Sequence, residues 1–421
     1  LDEIARIDRR RLLAGGAAAG VGSLIRPAAS RAEPATDQPA EVPASMRQQG
    51  SPVIAEPYGK PSPYEAGVVR RAWGEKTPFP TAGVAATPLQ DLHGTITPNG
   101  LIYIRDHGGT PALDPAAHRL LVHGLVERPL LFSMDDLMRF PSVSVQHFLE
   151  CSGNTPFWKA AAIKPDWTVQ NTHGLLSCCE WTGVRLADVL GECGLRREAA
   201  WMLAEGADAA AMTRSVPVAK ALDDALLVYA QNGEALRPEQ GFPLRLFLPG
   251  YEGNMSVKWL RRLKLGEAPF QTREETSKYT GLLPDGTARQ FVFVMEVKSV
   301  ITRPSGGQRL SAPGFVEISG LAWSGRGRIA RVDVSTDGGE TWREAALQPP
   351  VQSKCLTRFR LGWHWDGGPA RLASRAVDET GAVQPTRDAL IAARGTNSYY
   401  HYNGIHAWQV AADGAVHVAA V

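Results

Sequence analysis

Cys151 is the residue with the most chemistry to offer. In HFLECSGNTPFW it follows a strand-like run and enters a Gly-Asn turn, which puts its sulfur at the end of a strand. A cysteine there serves either as a buried structural thiol or as a reactive or ligating one, and its immediate neighbours do not choose between them. The chain holds five cysteines: Cys151, Cys178, Cys179, Cys193 and Cys355. In an exported protein an odd number leaves at least one thiol unpaired. No C-x-x-C-H offers covalent haem attachment, and no C-x-x-C pair offers an iron–sulfur or zinc site. Vicinal Cys178 and Cys179 precede an apolar stretch and read as packing residues. Whether Cys178, Cys179, Cys193 and Cys355 form disulfides is open.

The elements that must hold Cys151 follow from local patterning. LIYIRDHG and RLLVHGLV alternate like strands, SMDDLMRF opens with a serine cap, and VRLADVLGECG is a helix closed by Gly194. PLRLFLPG and VKWLRRLKL are strands again. The spacing predicts an α+β domain over residues 91–288. From 289 to 421 the character changes to strand-length runs separated by Gly, Asp and Pro turns, with STDGGETW as a hairpin signal and no convincing helix. That region is expected to be an immunoglobulin-like β-sandwich. Residues 33–90, rich in Pro, Ala, Gly and Gln, read as an extended arm with little regular structure.

The chain of 421 residues is long enough for two or three domains. Lys and Arg number 45 against 43 Asp and Glu, and a net charge of +2 argues against a nucleic-acid partner. Residues 1–32 have the layout of a signal peptide: Arg9, Arg10 and Arg11, then Leu12 and Leu13, a weakly apolar stretch, and Ala32 as a cleavage site. The Arg pair before Leu-Leu reads as a twin-arginine signal, which implies the periplasm. That route carries folded proteins, often with a cofactor already inserted. The apolar run is too short to span a membrane, which needs about 20 residues, and no later segment reaches that length.

ITPNGLIYIRDHG, LECSGN, WTGVRLADVL, QNGEALRPEQGFPLRLFLPG, VKWL and VDVSTDGGETW occur in this order. Together they resemble the sulfite oxidase family of molybdenum-cofactor enzymes over about residues 90 to 420. The resemblance implies a molybdopterin-binding domain followed by a dimerisation domain, and one molybdenum held by a single molybdopterin and one protein thiolate. Cys151, in CSGN, matches the thiolate position. Family pterin contacts match Arg105, His107, Asp208, Arg245 and Lys258. Arg and Lys suit a pterin phosphate, and polar pterin edges need paired donors and acceptors. His107 could equally be a satisfied turn histidine. Tyr279, in SKYTG, lies 21 residues after Lys258 as the family's active-site tyrosine does; with Arg105 it is expected to face the substrate. Arg394 is a third candidate, since family members bring an arginine from the C-terminal segment.

The departures are informative. Family sulfite oxidases follow their cysteine motif with arginines; here Thr155, Pro156, Phe157 and Trp158 stand there. Gln240 replaces a family histidine. The pocket is therefore expected to be less cationic and more aromatic, with Lys159 and Lys164 as possible sources of charge. Such a pocket is most similar to the Sox-type sulfane dehydrogenase branch, in which sulfane sulfur rides on a cysteine of a carrier protein. The resemblance then implies oxygen-atom transfer in thiosulfate oxidation, electrons leaving to a c-type cytochrome subunit, and a homodimer within a heterotetramer. A sulfite dehydrogenase acting on free sulfite is the nearer alternative, and a secreted binding module with a structural Cys151 the more distant one.

Overall fold

The computed structural model describes residues 46, 47, 49, 58–74, 81–159 and 163–419. The expected signal peptide and much of the expected arm lie outside the described residues. Residues 56–421 form one compact unit, and its architecture is α+β as the patterning predicts.

Two five-stranded sheets form the bulk of the first half. In one, the strands Leu130–Phe132, Leu120–Gly124, Leu260–Gly266, Trp201–Gly206 and Thr213–Pro217 lie side by side. In the other, Glu234–Ala235, Leu226–Gln231, Leu176–Arg185 and Ser142–Glu150 are neighbours, and Arg245–Phe247 pairs with Leu226–Gln231. The helix Leu186–Cys193 packs Leu186, Val189 and Leu190 inward and stops at Gly194, whose φ of 69° needs glycine. The helix Met134–Leu137 starts at the capping box of Ser133 and Asp136. Both helices fall where the sequence places them.

Between about 58 and 90 the structure differs from the sequence reading. Arg71–Gly74 and Gly83–Ala86 are antiparallel strands, and the latter pairs in turn with Ile104–Asp106. RAWG and GVAA are too short and too rich in small residues for alternation to show. Their order comes from pairing with each other and with the strand that bears Arg105.

The second half stacks two sheets as a sandwich. One holds Lys298–Arg303, Gly314–Trp323, Thr357–Trp365 and Ala346–Gln348; the other holds Arg343–Glu344, Ile329–Ser335, Ala370–Asp378, Ala407–Val410 and Val416–Val418. It also contains a helix, Arg387–Arg394, where none was expected. Thr386 caps it by accepting from Ala389 N, but only Leu390 is buried, so its apolar stripe is too thin for periodicity to reveal. The two halves share one apolar core: Phe148, Phe157, Trp158 and Leu176 pack with Ile318, Trp323 and Trp408. Cys178 Sγ and Cys355 Sγ meet across this seam at 3.3 Å, and all five cysteines are free thiols. Cys178 and Cys179 are both fully buried, as packing residues should be.

Candidate functional site

Separate elements deliver side chains to one cavity. Cys151 follows the strand Ser142–Glu150. Its amide donates to Leu175 O (3.0 Å) and its carbonyl accepts from Asn154 N (2.9 Å), closing a tight turn around the sulfur. Arg105 lies opposite Val84 in the small sheet, and His107 comes directly after that strand. Because Leu260 pairs with Gly206, Lys258 and Asp208 emerge from the same end of the five-stranded sheet. Arg245 opens its own strand opposite Val228.

The cations of this inner cavity are fixed before any ligand arrives. Arg245 donates from Nε to Ser256 O (3.1 Å) and from Nη1 to Gln240 O (3.1 Å) and Oε1 (3.3 Å), with its guanidinium 5.4 Å from the Trp181 ring. Burial lowers its pKa to about 10, which leaves it charged. Lys258 pairs with Asp106, donates to Glu239 O (2.9 Å) and sits 4.5 Å from the Trp259 ring. Burial lowers its pKa while Asp106 holds it up. Arg105, Arg245 and Lys258 together outweigh Asp106 and Asp208, so the cavity favours an anionic ligand. Asn254 uses Nδ2 on Ser152 Oγ (3.1 Å) and Glu252 Oε2 (2.8 Å), while its buried Oδ1 has no hydrogen-bond partner. An acceptor buried unpaired costs about 1–3 kcal/mol unless a ligand brings a donor.

The Cys151 thiol is pushed up to about 11, chiefly by burial, so it keeps its proton until a metal cation displaces it. Among the described residues no group of three His, Cys, Asp or Glu side chains could hold a metal. One sulfur facing a polar cavity suits a metal that arrives inside its own organic ligand. The residues present fit a molybdenum–molybdopterin group: Cys151 would hold the metal, and Arg105, Arg245 and Lys258 its anionic portion.

Arg105, His107, Cys151 and Tyr279 also line a second, outer space. Trp73, Trp167, Tyr399 and Tyr400 wall this vestibule, with Arg71, Arg273 and Lys278 among them. A hydrogen bond of 2.9 Å joins the Tyr279 hydroxyl and His107 Nε2. Burial, then the nearby cations Arg105, Lys258 and Arg273, lower His107 to about 3, so it is neutral. Burial and then Cys151 push the Tyr279 phenol well above its ordinary value, so it keeps its proton. The Tyr279 ring lies 5.0 Å from Tyr400, which lies 5.2 Å from Tyr399; the guanidinium of buried Arg214 is 5.2 Å from the Tyr279 ring.

The structure thus brings together Arg105, His107, Cys151, Asp208, Arg245, Lys258 and Tyr279. Arg394 is not among them. It lines neither space; its guanidinium pairs with Glu296 (2.5 Å) and donates to His401 O (3.1 Å). Phe157 and Trp158 do not furnish the pocket either. Both are buried against Tyr402, behind the Cys151 turn. Lys159 and Lys164 are exposed and line neither space. The vestibule is aromatic, as expected, but through other residues, and it is not short of cations. Gln240 has a definite role: it lines the inner cavity and holds Arg245.

Known proteins bear on this arrangement. Residues 107–274 match the family described as oxidoreductase molybdopterin binding domain, and residues 289–407 match the Mo-co oxidoreductase dimerisation domain. The chain is 34% identical to sulfite oxidase of Gallus gallus over 320 residues, which is 70% of this chain and 69% of that protein. It is also 34% identical to mitochondrial sulfite oxidase of Rattus norvegicus over 328 residues, 70% of this chain but only 58% of that longer protein. Among solved structures it is similar to a chain of the sulfane dehydrogenase SoxCD from Paracoccus pantotrophus. The TM-score is 0.87 and the identity 46%, covering 90% of this chain and 98% of that one. The cavity, its lone thiol and these matches agree: the chain belongs to the sulfite oxidase family of molybdenum-cofactor oxidoreductases.

Proposed function

We propose that this protein oxidises sulfane sulfur carried on a cysteine of a partner protein and passes the electrons to a c-type cytochrome subunit. The observation that carries this reading is the vestibule. It is open to solvent and walled by aromatic side chains rather than closed around a small anion, and it leads directly to Cys151, Arg105, His107 and Tyr279. Tyr399 at its rim is 65% exposed and Trp73 41% exposed, as contacts for a protein-borne substrate should be. The similarity to a sulfane dehydrogenase supports the same choice.

When bound, the molybdenum cofactor would supply two-electron oxidation coupled to oxygen transfer. The chain's own residues prepare for it. Cys151 would give up its proton to become the thiolate ligand. Arg105, Arg245 and Lys258 would neutralise the cofactor's anionic portion, with Asp208 and Asn254 as acceptors for its polar edges. Tyr279 keeps its phenolic proton and so can donate to a developing sulfur oxyanion, while neutral His107 orients that phenol.

Free sulfite is the second reading, favoured by Arg71, Arg273 and Lys278 on the vestibule and by the sulfite oxidase relatives. Steady-state reduction of cytochrome c, with sulfite against a protein bearing a cysteine persulfide, separates the two. A higher kcat/KM for the persulfide is expected; a preference for sulfite overturns the choice. The second domain supports a homodimer, joined with the cytochrome as a heterotetramer, and light scattering of the purified complex tests that. Export by the twin-arginine route belongs to the same proposal, and cell fractionation tests it.

A further inference from the structure

The turn that carries Cys151 is gripped from two sides. On one side Ser152 accepts at its carbonyl from His401 N (2.7 Å) and at its hydroxyl from Asn254 Nδ2 (3.1 Å). Both donors' residues are tied to Glu252, through His401 Nε2 at 3.1 Å and Asn254 Nδ2 at 2.8 Å. The other grip comes from the first strands of the sandwich.

Glu150, immediately before Cys151, is fully buried. Its Oε1 accepts from Lys298 Nζ (2.8 Å) and Asn154 Nδ2 (2.9 Å), and its Oε2 accepts from Trp323 Nε1 (2.6 Å). The same ammonium donates to Thr155 Oγ1 at 2.8 Å. One cation therefore holds the residue before Cys151 and the residue where the turn ends. Thr155 needs holding, because its φ of 72° is one that a β-branched residue rarely adopts. Lys298 and Trp323 are cross-strand partners, so the two donors come from one rigid pair of strand ends.

Net stability is a poor explanation for this arrangement. Both charges are almost wholly removed from water, and their desolvation offsets most of their attraction; apolar side chains of the same volume would fill the seam as well. What three donors on one carboxylate do supply is a single geometry. A metal–sulfur bond depends on where its sulfur is placed, and residues one step outside the ligands set that placement.

We propose that Lys298, seconded by Trp323, is a positioning residue for Cys151: the sandwich fixes where the metal-ligating sulfur stands. This rests on Cys151 being the thiolate ligand. The role goes beyond dimerisation, since it makes the molybdopterin domain's site incomplete without its neighbour.

The test uses the purified holoenzyme, with molybdenum content, the thiolate-to-metal absorption band and the rate of molybdenum loss on dialysis as readouts. Lys298→Met removes the ammonium. Thr155→Val keeps the branched shape and removes one contact, leaving no buried charge unpaired. Thr155→Val is expected to melt close to wild type, yet to show a displaced band and molybdenum loss faster by roughly tenfold or more, the range that such outer partners command. Lys298→Met should show the same changes, larger. A residue that only stabilised the seam would lower the melting temperature and leave the band alone. Loaded variants with the wild-type band and release rate overturn the inference, and if Lys298→Met does not fold, Thr155→Val alone decides it. Wild-type protein without molybdenum overturns the cofactor reading and this inference together, so the two failures are told apart.

Discussion

The inner cavity and the outer vestibule meet at Arg105, His107, Cys151 and Tyr279, but they are built on opposite plans. In the cavity the cations are spoken for: Lys258 by Asp106 and Glu239, Arg245 by Gln240 and Ser256. Their side chains have no rotamer freedom left to lose when a ligand binds. In the vestibule Arg273, although paired with Glu274, has a side chain 53% exposed, and Lys278 and Tyr399 also stand in water. Such groups can adapt to a large partner, but each contributes little. A preorganised cavity suits a cofactor bound once and kept, whereas an open one suits a substrate that comes and goes.

The comparison breaks first at Cys151. Cys151→Ser is expected to lower turnover by about a thousandfold or more, roughly 4 kcal/mol of barrier, and to abolish the thiolate-to-metal band. Steady-state rates beside metal analysis check this; a variant with normal rate and band would return the cysteine to a structural role. Arg245→Met comes next. It leaves the carbonyls of Ser256 and Gln240 without their donor and strips one cation from the cofactor's anionic portion. Hydrogen bonds to charged groups of about 1.5–3 kcal/mol correspond to a loss of cofactor affinity of roughly 10- to 100-fold. Exposed Arg273→Met should leave cofactor content unchanged; if both variants lose it equally, the contrast between the two regions fails.

A third region, the seam behind Cys151, sets the acid limit of both. His173 and His406 lie there with ring centroids 5.4 Å apart, each with Nε2 buried and unpartnered. Burial, then Lys298, lowers His406 to about 3 and puts His173 well below its ordinary value, and His107 in the site is lowered to about 3. Below pH 6.5 these groups are protonated in the unfolded chain but not in the folded one. Folding stability is therefore complete above pH 6.5 and falls as pH drops from there towards 3, by up to about 1.4 kcal/mol per pH unit for each histidine. Urea midpoints at pH 7 and pH 5 measure the slope. His406→Phe, which can keep the stacking on Phe157, should flatten it by one histidine's share; an unchanged slope would place the acid sensitivity elsewhere.

What the sequence reveals of this design follows the same division. The cavity residues sit at strand ends inside short contiguous motifs, and hydrogen-bonded strands carry them to predictable places. Cys151, Arg105, Arg245 and Lys258 are legible because those short motifs resemble the family's. The vestibule is assembled from elements far apart in the chain: Trp73 on the short strand Arg71–Gly74, Arg273 on a four-residue helix, Tyr399 after the helix Arg387–Arg394. No spacing rule links them. Phe157 and Trp158 mislead because adjacency to Cys151 stands in for direction; Thr155, with its positive φ, turns the chain inward just before them. Arg394 misleads because a basic residue in a helix's last turn has a local use, here Glu296 and the His401 carbonyl.

The smallest effect discriminates best between substrates. Tyr399 faces the vestibule: its ring is half of a pair with Tyr400, and a Cβ added at Gly153 would stand 3.3 Å from it and 3.9 Å from Cys151 Sγ. Tyr399→Ala removes that wall and leaves the inner cavity's lining intact. A protein-borne persulfide must pass the ring, so its kcat/KM should fall by roughly three- to tenfold, the worth of about 0.7–1.4 kcal/mol of contact. Sulfite is small enough to cross the vestibule without touching the ring, and its kcat/KM should stay within roughly twofold. Molybdenum content serves as the control for the cavity. If both substrates slow equally with the cofactor retained, Tyr399 supports the Cys151 turn rather than the incoming substrate, and the division between a fixed cavity and an adaptable vestibule would have to be drawn one residue further out.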